Sequence, residues 1–229
     1  MLRGIVTRVR LHATAQRAPA FLGRGGLPRP VSTFWGNDRG TPIDRYYIDA
    51  FISAHRGDLN GDILEVKDTR YSAVFATDAR TVAVLDIDAA NEAATVVGDL
   101  TRPETLPARA YDCFVITQTL QYIFDVRAAA ASVAHVLRPT GVALVTLPSV
   151  SRITASVGVD REFWRFTTAS ARALFEPHFD SVDVHAYGNV LTCAGFLYGL
   201  AAEELSASEL EAHDEFFPTL IAVRASGPR

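Results

Sequence analysis

Cysteine is nearly absent. Cys113 and Cys193 are the only two in 229 residues, too few for a disulfide scaffold or a cysteine-rich zinc site. No apolar run reaches the roughly 18 residues of a membrane-spanning helix, so none is expected. The dinucleotide fingerprint G-x-G-x-x-G, the phosphate loop G-x-x-x-x-G-K-[ST] and the nucleophile elbow G-x-S-x-G are all missing, which argues against those oxidoreductase, nucleotidase and hydrolase chemistries. No His, Cys or Asp cluster has close metal-ligand spacing, so no metal is expected. Lysine occurs once, at Lys67, in a chain otherwise rich in arginine. Acidic residues are missing from the first stretch of the chain. The first is Asp38, by which point Arg3, Arg8, Arg10, Arg17, Arg24 and Arg29 have passed.

What is present is ordinary globular composition, with 48% apolar and 21% charged residues and a formal net charge of -4. That charge speaks against a broad nucleic-acid footprint. Residues 1–40 form a basic arm with two readings, a solvated tail or a segment that docks on an anionic partner. The arm lacks the apolar stretch of a secretory signal; an Arg-rich, acid-free start also resembles a mitochondrial presequence. The expected location is cytoplasmic. Residues 41–229 read as one domain, with a helical insertion at about 189–216.

Within the domain the pattern is regular. Thr41-Pro42 opens a helix carrying Ile43, Tyr46, Tyr47, Ala50 and Phe51 at helical spacing, with Pro42 in the first helical position and Asp44 in the first turn. Buried strands are expected at 63–66, 81–85, 94–99, 113–116 and 142–145, and two more at 182–187 and 219–223. The gap between the second and third strands is too short for a crossover helix of usual length. Asp125 to Leu137 is an alanine-rich helix stopped by Pro139 and Gly141, and 168–175 is another. Strands alternating with helices indicate an α/β sandwich around a mostly parallel sheet. In the connection 189–216, the apolar half Val190–Ala202 reads as a buried helix of the core or of a homodimer interface, or as a lid. The half from Glu203 to Glu215 is acidic.

Ligands of open α/β sheets bind beyond the carboxyl ends of the strands. Those ends carry Glu65-Val66-Lys67-Asp68, Asp86-Ile87-Asp88, Gly98-Asp99-Leu100, Thr117-Gln118-Thr119 and Pro148-Ser149. Asp86 follows Glu65 by 21 positions, the spacing at which an acidic side chain receives a ribose diol. A carboxylate accepts two hydrogen bonds from vicinal hydroxyls, which a neutral side chain matches poorly.

These segments resemble the class I S-adenosylmethionine-dependent methyltransferases. Leu64-Glu65-Val66 is similar to the family's first motif, Val84-Leu85-Asp86-Ile87-Asp88 to the second and Gly98-Asp99-Leu100 to the third. Tyr111 to Gln118 resembles its fourth strand, Val136 to Val142 its "LkPGG" turn, and Glu162-Phe163-Trp164-Arg165-Phe166-Thr167 a "yWRFT" segment of small-molecule members. Residues 37–47 resemble methyltransferases encoded near glycosyltransferases. The resemblance implies a Rossmann-like seven-stranded sheet, mostly parallel with an antiparallel last strand. It implies S-adenosyl-L-methionine as cofactor and methylation of a hydroxyl on a sugar or secondary metabolite.

Roles follow from the resemblance. Glu65, Lys67 and Tyr71 would surround the methionine part, Asp86 the ribose hydroxyls and Ile87 the adenine face. Asp99 and Leu100 would hold the adenine edge, with Thr117 and Gln118 flooring the sulfonium. The other reading of Glu65 and Asp86 is as caps on the turns that follow, and of Asp99 as a turn residue. One departure is plain. The family's first loop is glycine-rich, whereas Lys67-Asp68-Thr69-Arg70-Tyr71 contains no glycine. Either Lys67 pairs with the cofactor carboxylate or with Asp68, or the loop has lost productive binding and the fold serves a non-redox cyclisation, a rearrangement or a binding subunit. A hydroxyl acceptor also needs a base, for which His213 beside Asp214, His178 and Asp160 are the candidates. Tyr46, Tyr47, Trp164 and Arg165 are candidates for the acceptor pocket, against core roles for the three aromatics and a surface ion pair for Arg165.

Overall fold

The computed structural model describes residues 29–229. Five arginines of the basic arm therefore lie outside the described residues, and Arg29 lies inside. The chain builds one seven-stranded sheet in the order β3-β2-β1-β4-β5-β7-β6. The strands are β1 (Asn60–Val66), β2 (Asp78–Asp86), β3 (Val96–Val97), β4 (Tyr111–Thr117), β5 (Leu137–Pro148), β6 (Phe179–Tyr187) and β7 (Leu220–Pro228). Pairing is parallel from β3 through to β5, and β7 runs antiparallel to both β5 and β6. This is the mostly parallel seven-stranded sheet with an antiparallel last strand that the resemblance implies. The helices are α1 (Ile43–Ala54), α2 (Ser72–Phe75), α3 (Val126–Val136), α4 (Thr168–Phe175), α5 (Val190–Tyr198) and α6 (Ala207–Glu211).

Side-chain alternation along the strands sorts the core into two layers. On β4, Phe114 and Ile116 point to the face covered by α3 and α4, where they join Leu64, Val133 and Phe175. Cys113 and Val115 point to the other face and meet Ile43, Ile48, Phe51 and Phe196 of α1 and α5. Each fully buried side chain of this size contributes about 1.5–3 kcal/mol from leaving water. The apolar part of the 189–216 connection buries Phe196, Leu200 and Ala202 in this layer and leaves Val190 and Leu197 exposed.

Local chemistry sets the helix limits. Asp125 caps α3 by accepting from Ala128 N at 3.1 Å, and α3 ends at Val136 with β5 beginning at the next residue. Pro139 falls inside that strand rather than at a helix stop. Pro42 sits one position ahead of the first helical residue, with φ -53° and ψ 139°, so α1 starts at Ile43. The third strand is only two residues long, and the β2–β3 link turns without a helix through Asp88–Asn91.

The expected arm boundary at residue 40 falls inside a packed segment. Val31 N donates to Tyr198 O at 2.8 Å, and Ala202 N to Thr41 O at 2.7 Å. Thr41 donates to the Glu203 carboxylate through N and Oγ1, and Arg39 pairs with Glu204. Gly199 ends α5 in the left-handed region at φ +82°, where a Cβ would overlap the Ser32 backbone. Trp35 is held against the loop after β5: its ring lies 4.0 Å from the Arg152 guanidinium carbon, and its Nε1 donates to Ser151 Oγ.

The two ends of the parallel strands differ in character. At the amino ends, Asp62 binds Arg80, Thr81 and Arg138, and Asp112 binds Arg138 and the Asp62 amide. The Arg80, Thr81 and Arg138 hydrogen bonds hold the Asp62 carboxyl well below the usual carboxylate range. The carboxyl ends are less self-sufficient.

Candidate functional site

The strand order reverses between β1 and β4, which makes the crevice above those two tips the expected ligand position. Both tips leave the sheet through a non-glycine residue in the left-handed region: Lys67 at φ +76° after β1, and Gln118 at φ +48° after β4. Such conformations cost about 1–3 kcal/mol each and persist where surrounding structure over-determines them. Lys67 thus keeps the turn for which glycine was expected. Its N–H donates to Leu85 O at 2.8 Å, and its carbonyl accepts from Asn91 Nδ2 at 2.8 Å.

Glu65 lies beneath this turn and is only 2% exposed. Its two carboxylate oxygens accept from Tyr71 N and Ser72 N, each at 2.8 Å, and so hold the start of α2. Burial pushes its carboxyl up, against the pull of those bonds. Tyr71 is buried as well, and its hydroxyl accepts from Arg45 Nη1 of α1 at 2.7 Å. Glu65 and Tyr71 therefore shape the loop from behind. Lys67, Asp68, Thr69 and Arg70 form its exposed rim.

At the β2 tip, Asp86 Oδ1 accepts from Asp88 N at 3.0 Å and Oδ2 from Asn91 Nδ2 at 2.7 Å. A carboxylate has about four acceptor positions, so two remain for a diol. Ile87 beside it is 69% exposed, an apolar face with no cover among the described residues. Beyond β3, Asp99 Oδ1 accepts from Thr101 N and Thr101 Oγ1, both at 2.8 Å, while Leu100 is buried against Leu85 and Leu106. Thr117 ends β4 opposite Thr146. Gln118 N donates to Thr146 O at 3.0 Å, and Gln118 Nε2 is buried without a partner.

Sequence reasoning missed three further groups near this crevice. Asn91 bridges the β1 and β2 tips, and no motif spacing announces it. Arg45 reaches Tyr71 from α1, a contact that only the tertiary packing creates. Asp44 next to it has a buried Oδ1 with no partner, and burial pushes its carboxyl up while Arg45 and Arg70 oppose that shift.

The residues expected around an acceptor divide between two places. Tyr46, Tyr47 and His213 line one cavity of about 430 Å³ beyond the β6 tip, together with Tyr187 and Glu211. Tyr47 donates to Leu210 O at 2.8 Å, and its ring lies 5.4 Å from Tyr46 and 5.7 Å from Tyr187. Trp164, Arg165 and Asp160 lie elsewhere, in the loop after β5. Trp164 packs against the core with Nε1 donating to Ile123 O at 2.9 Å, and it stacks on Phe124. Arg165 pairs with the buried Glu162 at 2.7 Å and donates to the carbonyls of Ser151 and Arg152. Those partners hold the loop. Asp160 is exposed. His178 sits with Pro139 and Pro228 at the amino ends of the parallel strands, opposite the crevice. Among the described residues, no group of three His, Cys, Asp or Glu side chains could hold a metal ion, and no helix is long and apolar enough to cross a membrane.

Comparison with known proteins agrees with this architecture. Residues 57–145 match the family model described as a methyltransferase domain. The fold is similar to the N-methyltransferase NodS from Bradyrhizobium japonicum WM9, solved with S-adenosyl-L-homocysteine. The TM-score is 0.54 at 13% identity, covering 84% of this chain and 91% of that one. It is also similar to the 1,6-didemethyltoxoflavin-N1-methyltransferase of Burkholderia thailandensis, solved with 1,6-didemethyltoxoflavin and S-adenosylhomocysteine (TM-score 0.51, 14% identity, 80% of this chain and 77% of that one). The 4+2 cyclase SpnF is similar too, at TM-score 0.53 and 14% identity over 83% of this chain and 84% of that one. No curated protein matches the chain. Residues 57–145 thus carry the match to a methyltransferase domain, within a fold shared with S-adenosylmethionine-dependent methyltransferases.

The cofactor that this likeness implies is S-adenosyl-L-methionine. The crevice residues fit it. Asp86 retains acceptor capacity for a diol, Ile87 offers an apolar face for a base, and the orphaned Gln118 amide is a donor that lacks an acceptor. The missing glycine does not forbid the turn, because Lys67 itself adopts the positive φ that favours glycine.

Proposed function

We propose that this protein is an S-adenosylmethionine-dependent O-methyltransferase acting on a hydroxyl of a sugar or secondary metabolite. The observation that carries this reading is the pair of left-handed, non-glycine turns at Lys67 and Gln118 flanking the switch point, with a buried unpartnered amide on the second. In this reading Asp86 receives the ribose hydroxyls, Ile87 lies against the adenine and Asp99 takes its edge. Lys67 and Arg70 supply positive charge beside the aminoacyl end, and Gln118 donates at the floor near Thr117. When bound, the cofactor supplies an electrophilic methyl group on a sulfonium. The protein's share is alignment, which is worth several kcal/mol when a bound hydroxyl is held in line.

The acceptor's outer part fits the cavity of Tyr46, Tyr47 and Tyr187, whose rings suit the flat face of a sugar or an aromatic ring. From the β6 tip to the β4 tip is three strand spacings, about 14 Å. A molecule that reaches from one to the other is longer than a single sugar ring. In this reading His213 recognises the acceptor's far end rather than serving as the general base. His213→Ala is therefore expected to raise KM severalfold and to keep kcat and its pH profile, measured as S-adenosylhomocysteine release with a panel of glycosides. Loss of one limb of the pH profile would restore it as the base.

Isothermal calorimetry with S-adenosylhomocysteine tests the cofactor site directly. Asp86→Ala should weaken binding about tenfold or more, the worth of a charge-assisted hydrogen bond. Unchanged affinity would remove Asp86 from the site, and absence of heat from the wild-type protein at millimolar ligand would remove the site altogether. A second reading, non-redox cyclisation on the same fold, is favoured by the glycine-free loop and by the likeness to SpnF. Cofactor binding without any methylated product would select it.

A further inference from the structure

We propose that Asn91 is a positioning residue that takes over the work of the missing glycine, holding the Lys67 turn and the Asp86 carboxylate in one rigid unit. The inference rests on the cofactor reading for its consequence but has its own geometry. One side-chain nitrogen, Asn91 Nδ2, donates to Lys67 O at 2.8 Å and to Asp86 Oδ2 at 2.7 Å. Both of its hydrogens are thereby used. Asn91 Oδ1 in turn accepts from Ala93 N at 3.0 Å. The backbone of Asn91 is fixed on both sides, its N–H donating to Asp88 O at 3.1 Å and its carbonyl accepting from Ala94 N at 3.0 Å. The side chain is therefore presented by a locked turn in the β2–β3 link.

A glycine at position 67 would need no such help, because it enters the left-handed region without a Cβ penalty. A lysine there pays that penalty, and something outside the turn must compensate. The carbonyl that the left-handed conformation swings towards β2 is the one Asn91 captures. The same amide fixes one oxygen of Asp86 and leaves the remaining acceptor positions free. Asn91 thus links the backbone path at the first strand tip to the orientation of the carboxylate at the second.

The clamp predicts a specific compensation. In the absence of any ligand, Asn91→Ala should destabilise the protein in urea whether residue 67 is lysine or glycine, because the captured carbonyl belongs to the backbone in both. With S-adenosylhomocysteine, Asn91→Ala and the isosteric Asn91→Asp, which lacks both donated hydrogens, should each weaken binding about tenfold. In the Lys67→Gly background, whose own affinity is the reference because the lysine charge is lost there too, Asn91→Ala should cost no more than about threefold, since part of the tenfold loss comes from the turn. An equal tenfold loss of S-adenosylhomocysteine affinity from Asn91→Ala in both backgrounds would overturn the proposal, as would affinity that Asn91→Ala leaves unchanged. Should wild-type protein bind no S-adenosylhomocysteine, the cofactor reading falls, and the clamp stands only if Asn91→Ala destabilises the ligand-free protein.

Discussion

Glu65→Ala should lower stability by about 2–4 kcal/mol. Removing the carboxylate strands the Tyr71 and Ser72 amides, both buried hydrogen bonds in the native protein. Each unsatisfied buried donor costs about 1–3 kcal/mol. The sum is moderated because the carboxylate itself is unfavourably buried, which is why its carboxyl is pushed up. The pH dependence has a definite sign. A raised folded-state value means the proton is held more tightly in the native protein than in the unfolded chain. The advantage of wild type over the alanine variant is therefore fullest below about pH 4.5, the ordinary glutamate value, and shrinks as pH rises through the raised one. Urea unfolding of both proteins between pH 4.5 and 7.5 reads this directly. A gap that widens with rising pH would mean the two amide bonds outweigh burial. Because the same amides begin α2, S-adenosylhomocysteine affinity should fall with stability.

Asn189→Ala should be nearly as damaging, for a different reason. Asn189 Oδ1 caps α5 by accepting from Leu191 N and Thr192 N, at 2.9 and 3.1 Å. Its Nδ2 donates to Glu209 O and Ala212 O, at 2.8 and 2.7 Å. One side chain thus starts α5 and ties down the end of α6, from which His213 projects into the tyrosine cavity. Loss of a cap costs about 1 kcal/mol, and orphaned buried partners add to it, for an expected total of about 2–4 kcal/mol. In a chain of this size that is a fall in melting temperature of about 4–16 °C, readable by calorimetry. Asn189→Asp keeps the cap and loses the two donors, and should fall between. If Asp were as harmful as Ala, the cap would carry none of the effect.

The sheet was legible because its strands are buried on both faces, and short apolar runs between turn residues announce that directly. Cys113 to Ile116 needed no more than hydrophobicity to be placed. The acids at the strand tips were legible because the topology of an open sheet says where ligands go. What spacing could not tell was which tip residues face outward. Glu65 and Asp86 occupy like places in the sequence and each accepts two hydrogen bonds, yet the first is buried behind the turn and the second stays partly exposed at the crevice. Trp164 was ambiguous for a physical reason: a pocket wall and a core both favour a large aromatic, and only the Ile123 carbonyl under its Nε1 decides. Asn91, Arg45 and the packing of residues 31–41 were invisible, since each depends on contacts between distant parts of the chain.

The seam between residues 31–42 and 198–204 has a practical consequence. The insertion after β6, which lines the tyrosine cavity through Leu210 to His213, does not rest on the sheet alone. It shares backbone hydrogen bonds and two ion-paired or hydrogen-bonded glutamates with the stretch that leads into α1. A graft intended to transplant acceptor preference from this protein onto a cousin would have to carry both pieces together. Moving the insertion alone would leave Glu203 and Glu204 facing strangers.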